Sequence, residues 1–343
     1  MMPFKRIGVW QTAFLGDAVL TLPLLQNLAE QYPDSEIHFF VRKGLKALFA
    51  GNPRYKVHEF DKYGQDKGIS GILKAAAKIR KIKFDLWISP HASLRSSLTA
   101  LLNNSPQSIG YCRPMFNRLV YKQTVHRKFY QLDEIERLLE LLKPLQIPAD
   151  QDWPQLILPD KDLEQAADFW KQHISGKTIG IHPGSTWPTK MWPEQYFAQI
   201  INMAGQIPDL NILVFAGPGE EKITNRILAS TDRPDNIINL AGKLTLPQLA
   251  AHLGLLDCYL TNDSGPMHLA WPQNIPLIAL FGPTVRKLGF FPRGKNSTVM
   301  ESDISCRPCG LHGHKNCPEK HHRCMTDITP EAVIKQIRKK IDA

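Results

Sequence analysis

Four short polar turns carry the residue types that could do chemistry, and each sits between an apolar run and a helical pattern. Asn262-Asp263-Ser264-Gly265-Pro266-Met267-His268-Leu269-Ala270 lies between the apolar runs 255–260 and 276–281. A strand, a small turn with Asp and Gly, then a helix is how α/β sheets aim backbone N–H groups at a phosphate. Ser264, Gly265 and the amides after them suit an anion. Asp263 would repel a phosphate placed close by and better fits a sugar hydroxyl. His268 falls on the ensuing helix, where it serves either a ligand or the core.

The segment 182–193 combines the adjacent hydroxyls of Ser185 and Thr186, Gly184, the lone Lys190 and two Trp ahead of Pro193. Hydroxyls, loop amides and an ammonium can cradle a diphosphate, although an exposed loop lysine is the plainer reading. No G-x-x-x-x-G-K-[ST] loop occurs in the chain. Ala216-Gly217-Pro218-Gly219-Glu220-Glu221 has two glycines but lacks the third of the dinucleotide fingerprint. Its glutamates either favour a helix N-terminus or accept hydrogen bonds from ribose hydroxyls. In Ala13-Phe14-Leu15-Gly16-Asp17, Asp17 falls at a helix N-terminus. There it is an ordinary cap or, at the carboxyl end of a central strand, a base for a substrate hydroxyl.

Alternating strands and helices must position these turns. In the first half, strands are expected at 6–10, 36–41 and 84–89. Helices are expected at 18–31, with Pro23 near its first turns or kinking it, and at 69–82 and 134–145. Pro144, Pro148, Pro154 and Pro159 then mark a connection. The second half restarts the pattern with strands at 177–182, 211–216 and 237–240 and helices at 193–204, 220–230 and 246–255. This grammar predicts an α/β fold of two Rossmann-like domains, 1–160 and 161–329, with parallel sheets facing a central cleft. A terminal helix, 330–341 within the last segment 330–343, is expected to pack back on the first domain.

With 343 residues, 43% of them hydrophobic, the chain can bury two cores. No run approaches the ~18–20 apolar residues of a membrane span. Lys5 and Arg6 precede an apolar segment as in a signal peptide, but Gln11 and Asp17 interrupt it, so a cytoplasmic location is expected. The net charge of +10 favours an acidic partner. No zinc-finger spacing or RNP-like strand accompanies it, so nucleic acid is not the expected partner.

Taken together, the motifs resemble the ADP-heptose:lipopolysaccharide heptosyltransferases, glycosyltransferase family nine. The resemblance is carried by Leu15-Gly16-Asp17-x-Val19-Leu20-Thr21-x-Pro23, His182-Pro183-Gly184-Ser185 with Lys190-x-Trp192-Pro193, and Ala241-Gly242-Lys243 with Leu249-Ala250. Asn262-Asp263-Ser264-Gly265-x-x-His268-Leu269-Ala270 and Phe281-Gly282-Pro283-Thr284 complete it, in family order. It implies a GT-B fold and a metal-free, inverting transfer of heptose from ADP-heptose to the phosphorylated lipid A–core acceptor at the inner membrane face. Asp17 would be the general base. Ser185, Thr186 and Lys190 would face the diphosphate, Glu221 the ribose, and Lys243 or Leu244 the adenine. Asp263 would bind the heptose, with Ser264 and Gly265 on the phosphates and His268 on the donor side. Lys43, Arg95 and Arg113 are acceptor-binding candidates by charge alone. A cap position lowers a carboxylate pKa, so Asp17 is expected to be a weak base that acts as the hydroxyl attacks.

Two departures are visible. Ala13 and Phe14 stand where family members often have two serines, which bears on acceptor contacts. Trp187-Pro188 makes the loop before Lys190 one residue longer than in some relatives, which bears on donor identity. A different nucleotide sugar and a non-catalytic sugar-nucleotide-binding module are the alternatives. No cofactor is required for transfer. Cys306, Cys309, Cys317 and Cys324 hold one C-x2-C pair, so a structural zinc, or simply reduced thiols, is expected there.

Overall fold

The computed structural model describes residues 4–232 and 235–342, and the chain divides into two compact units, Met1–Pro159 and Asp160–Ala343. The first unit contains β1 (Arg6–Gln11), β2 (Glu36–Arg42), β3 (Tyr55–Phe60), β4 (Leu86–Ile88), β5 (Gln107–Tyr111) and β6 (Gln123–Val125). They form one sheet in the order β3-β2-β1-β4-β5-β6, and every neighbouring pair is parallel. Parallel pairing requires crossovers, which fall to α1 (Leu15–Leu20), α2 (Leu22–Gln31), α3 (Gly68–Arg80), α4 (Leu94–Asn103) and α5 (Asn117–Val120). With both sheet faces covered, β1, β2 and β4 are runs of buried apolar residues rather than alternating patterns.

The second unit repeats the winding. Strands β7 (Lys177–His182), β8 (Leu210–Val214), β9 (Ile237–Asn239), β10 (Cys258–Asn262), β11 (Leu277–Phe281) and β12 (Ser297–Glu301) pair in the order β12-β11-β10-β7-β8-β9, all parallel. Counted from each unit's own first strand, both sheets have the doubly wound order, with the first strand central. In each, the order reverses beside the first strand, so the crevice at the carboxyl ends opens between β1 and β4, and between β7 and β10.

Several expected elements differ in detail. The expected helix 18–31 is two helices, α1 and α2, divided at Thr21. Pro23 has no N–H to continue the first helix and instead occupies the opening turn of the second. The expected helix 134–145 is α6 (Glu134–Leu139) followed by a 3-10 turn, Glu140–Leu145, which contains Pro144. The proline-marked connection is held along the first unit: Asn27 donates to Gln151 O, and Gln26 bonds both Trp153 O and Gln155 N.

The terminal helix closes the second unit. After α7 (Asp160–His173), α8 (Glu194–Gly205), α9 (Glu221–Ala229), α10 (Leu246–Leu253), α11 (Gly265–Ala270) and α12 (Arg323–Thr326) comes α13 (Pro330–Ile341). It packs on α8 and β10 of the second unit. Val333, Ile337 and Ile341 repeat at four-residue spacing and bury their side chains in the core of Ile179, Phe197 and Leu260. Among the described residues, no helix is long and apolar enough to cross a membrane.

Candidate active site

In the second unit, the two central strands deliver the two diphosphate-type turns to one place. β7 ends at His182 and β10 at Asn262, and the strands are hydrogen-bonded neighbours. Asn262 ties the turns together: its amide N–H donates to Pro183 O at 2.7 Å, and its Oδ1 accepts from the Trp192 amide at 3.0 Å. The loop after β7 closes in a 3-10 turn, Pro188–Lys190, which brings Lys190 Nζ within 2.6 Å of Asp263 Oδ2. Both side chains are nearly enclosed, at 12% and 7% exposure, so salt and water screen the pair little and removing either partner would leave a buried charge. The Thr284 hydroxyl donates to the same carboxylate oxygen at 2.6 Å. Ser185 reaches Asp263 O at 3.5 Å, while Thr186 is exposed.

Ser264 precedes α11 without capping it through its side chain; its hydroxyl meets that of Thr261 instead. Gly265 opens the helix. His268 is buried, accepts from the Trp271 indole N–H at 3.2 Å, and is pushed down to about 4 by burial, so it is neutral at pH 7. The loops after β8 and β9 also meet. Glu221 accepts from the Gly219 amide at 2.8 Å and abuts Gly242 so closely that a Cβ there would lie 2.5 Å from its Oε1. Gly242 has φ +70, so both space and conformation require glycine. Lys243 is exposed and donates to Asn239 O at 2.7 Å, with Leu244 half-buried beside it. Glu220 faces the other way, accepting from the Gly217 amide at 2.9 Å and pairing with His182 Nε2 at 3.3 Å.

Residues that the turns alone did not reveal complete this region. The chain around 312–322 packs onto the Lys190 turn: the His314 amide donates to Thr189 Oγ1 at 2.7 Å, and His322 Nε2 meets Thr189 O at 2.9 Å. His312 stacks parallel to Trp187, with ring centroids 6.0 Å apart, and senses the charges of Lys190 and Asp263. Arg307 anchors the segment by donating to Thr284 O at 2.8 Å and to Glu301 at 2.6 Å. The thiols in this stretch are free, and Cys309 and Cys324 are each pushed up by burial, Cys324 to about 11. The donors are soft enough for zinc, yet among the described residues no group of three or more His, Cys, Asp or Glu is gathered to hold a metal ion.

The first unit builds a different arrangement at the carboxyl ends of its strands. Asp17 is the third residue of α1 rather than its cap, and its Oδ2 accepts the Phe14 amide at 3.1 Å. The expected lowering of its pKa does not occur. Burial, reinforced by the Glu134 carboxylate, raises Asp17 to about 6 against the opposing Phe14 amide and Arg127. Glu134 is itself enclosed, clamped by Arg127 at 2.7 and 2.9 Å and by the fully buried Arg137 at 2.8 Å.

Cations from several loops converge around this carboxylate. Arg42 ends β2, Lys62 and Arg127 follow β3 and β6, and Arg95 lies in the first turn of α4. Burial lowers the Lys62 pKa, helped by Arg42 and Arg95 and opposed by Asp17. His91, beyond β4, meets Thr12 Oγ1 at 3.3 Å and is pushed down to about 4 by burial and by Lys62, Arg127 and Arg95. Arg42 and Lys62 also lie over the rings of Phe14 and Tyr63. Of the acceptor candidates, Arg95 belongs to this group. Lys43 is exposed and paired with Asp61 at 2.8 Å, and Arg113 stands exposed beyond β5.

The model of glycosyltransferase family 9 (heptosyltransferase) matches residues 72–322. The chain belongs to that family. Membership in this family of lipopolysaccharide-core heptosyltransferases makes it a glycosyltransferase, with the paired doubly wound units of the GT-B class. It is 28% identical to lipooligosaccharide heptosyltransferase 2 of Campylobacter jejuni over 340 residues, covering 97% of each chain. Among solved structures, it is similar to a family 9 glycosyl transferase from Veillonella parvula, with TM-score 0.87, 25% identity and 99% and 98% coverage. The ADP-heptose lipopolysaccharide heptosyltransferase II of Escherichia coli shares the fold at TM-score 0.81 and 22% identity, with 98% of each chain covered. The family match begins after Asp17, so the role of that residue rests on its surroundings.

Proposed function

We propose that this family 9 transferase moves heptose from ADP-heptose to the phosphorylated inner core of lipopolysaccharide, with inversion and without a metal ion. The observation that carries the reading is Asp17: a carboxylate raised to about 6 among Arg42, Lys62, Arg95 and Arg127. A base with that pKa is ionised at pH 7 yet accepts a proton more readily than an ordinary aspartate. The surrounding cations suit phosphate or carboxylate groups on the acceptor. As the acceptor oxygen bonds to the anomeric carbon, Asp17 takes its proton and the bond to the diphosphate breaks. Lys190 stabilises the departing ADP, a role that falls to fixed positive charge in a metal-free transferase. Asp263 holds Lys190 in place and reads the sugar hydroxyls, while Glu221 and the Gly242–Leu244 turn receive the nucleoside.

The names of the relatives support a heptose donor and a lipopolysaccharide or lipooligosaccharide acceptor, and hence work at a membrane surface as a peripheral protein. The test is a donor-by-acceptor assay with ADP-heptose and truncated lipopolysaccharides, coupled to thermal protection by ADP, UDP and GDP. Selective protection by ADP and transfer to a heptose-deficient core are expected. Protection by UDP or GDP instead would redirect the donor, and ADP binding without turnover would leave a binding module. A structural zinc on Cys306, Cys309, Cys317 and Cys324 rests on the soft donor set and its one C-x2-C pair alone. Metal analysis decides it: below ~0.2 zinc per folded chain, the cysteines are reduced thiols.

A further inference from the structure

The positive charge of the chain is concentrated in one stretch. Residues 67–122 contain ten Lys or Arg and a single acid, Asp85, which accounts for nine of the net +10 and leaves the remainder nearly balanced. The Asp85 carboxylate is itself occupied by the Lys5 and Arg6 amides. The stretch folds as α3, α4 and α5 with the intervening strands; α3 lies against α4, and Ser97 of α4 donates to Asn117 of α5 at 2.7 Å. All three helices rest on the same aromatic core around Phe60 and Trp87.

The outer surface of these helices is apolar as well as basic. Ile69 and Leu73 are exposed four residues apart on α3, and Leu94 and Leu101 seven apart on α4. Met115 and Leu119 flank and enter α5 at 78% and 88% exposure. Exposed apolar residues scattered singly need no explanation, but six on three neighbouring helices mark an interaction surface. Lys67, Lys74, Lys78, Arg118 and Lys122 are exposed among them.

We propose that the α3–α4–α5 face docks on an anionic phospholipid bilayer. Leu, Ile and Met side chains enter the acyl boundary while Lys and Arg meet headgroup phosphates, the division of labour of interfacial helices. Position favours a bilayer over an acidic protein. All strands of this sheet are parallel, so the N-terminal ends of α3, α4 and α5 lie at the same carboxyl rim as Asp17. A face held to headgroups there brings a membrane-borne acceptor to the base. The inference thus rests on the acceptor assigned above, while adding the surface that reaches it.

Co-sedimentation of the full chain with vesicles tests it, comparing phosphatidylcholine alone with phosphatidylcholine containing about one-quarter phosphatidylglycerol. Binding to the anionic vesicles alone is expected, weakening as salt rises. Lys74→Gln/Lys78→Gln should weaken it roughly 30-fold and Met115→Ser/Leu119→Ser about 10-fold or more. Lys335→Gln/Lys339→Gln, the same charge change on α13, should leave binding intact. Equal binding by all variants, each verified as folded by circular dichroism, would overturn the docking surface, as would wild type that ignores both vesicles. Transfer to a soluble truncated acceptor by a chain that ignores vesicles overturns the surface alone. Vesicle binding without any transfer overturns the proposed reaction and leaves the surface standing.

Discussion

Asp17 and Asp263 are carboxylates at the carboxyl rims of the two sheets, after β1 and after β10, and their surroundings treat them in opposite ways. Each lies just beyond a central strand of a doubly wound sheet, within or directly before a six-residue helix. Asp263 is met by an ammonium and a hydroxyl, both at 2.6 Å. Asp17 accepts the Phe14 N–H within its own turn, and burial, reinforced by the Glu134 carboxylate, raises it to about 6. A rim carboxylate is thus proposed as a binding group in one unit and as a base in the other. The determining difference is whether the neighbouring loop supplies a cation within contact distance.

The largest expected effect separates the two roles by rate. Asp17→Asn keeps the shape and removes the proton acceptor, so kcat for transfer should fall roughly 10²–10⁴-fold with donor affinity unchanged. Lys190→Met should reduce kcat by about 10²–10³ and also weaken ADP binding, because the charge it removes serves both bound and departing diphosphate. Stopped-time assays across donor concentrations, with ADP titration by calorimetry, read both. If Asp17→Asn instead lost donor affinity while keeping kcat, the comparison would be reversed.

Glu134 gives a sharper test, since it contributes to the raised pKa of Asp17 while lying between Arg127 and Arg137. Glu134→Gln leaves two largely buried guanidinium groups without their counter-ion, at a cost of about 3–5 kcal/mol measured by denaturant unfolding. It also removes a repulsive charge. The acid limb of kcat/KM, expected near pH 6 in the wild type, should therefore move toward the ordinary carboxylate range. An unmoved limb would assign the titration to another group.

The donor-side turns and the doubly wound grammar were legible in the sequence because both are local. Glycines, hydroxyls and Lys190 fall within a few residues of one another, and β7 and β10 are plain apolar runs. The cationic group around Asp17 was not legible beyond Arg95. Arg42, Lys62, His91 and Arg127 come from separate loops and meet only because parallel strands align their carboxyl ends. The raised pKa of Asp17 was missed for a related reason: the cap argument counts one helix, whereas Asp17 is raised by burial under the rest of the unit and by Glu134 of α6. Some elements were hidden by composition. α7 carries Leu163, Ala166, Ala167 and Trp170 at helical spacing but among many charged residues and with only Ala166 fully buried, and β6, three residues long, is too short to show a period. The terminal helix was legible as a helix, but its amphipathic face does not name the surface it covers.

The smallest effect expected from the comparison is on stability, and its sign distinguishes the aspartates. A carboxyl raised from 3.8 to about 6 favours folding below pH 3.8, and that contribution is lost as pH rises through 6. At pH 7 the ionised Asp17 is therefore a liability to the fold, of about 1–3 kcal/mol given its partial exposure. Asp17→Asn should raise Tm at pH 7–8 while abolishing transfer, and the gain should vanish near pH 4. Asp263→Asn should lower Tm at pH 7, because it leaves the enclosed Lys190 ammonium unpaired. Thermal unfolding of both variants across pH reads this directly. A fold that pays for its base and is held by its binding carboxylate would show the two substitutions moving Tm in opposite directions, and parallel shifts would mean that the ionised Asp17 stabilises the first turn of α1 as an ordinary helix-start carboxylate does.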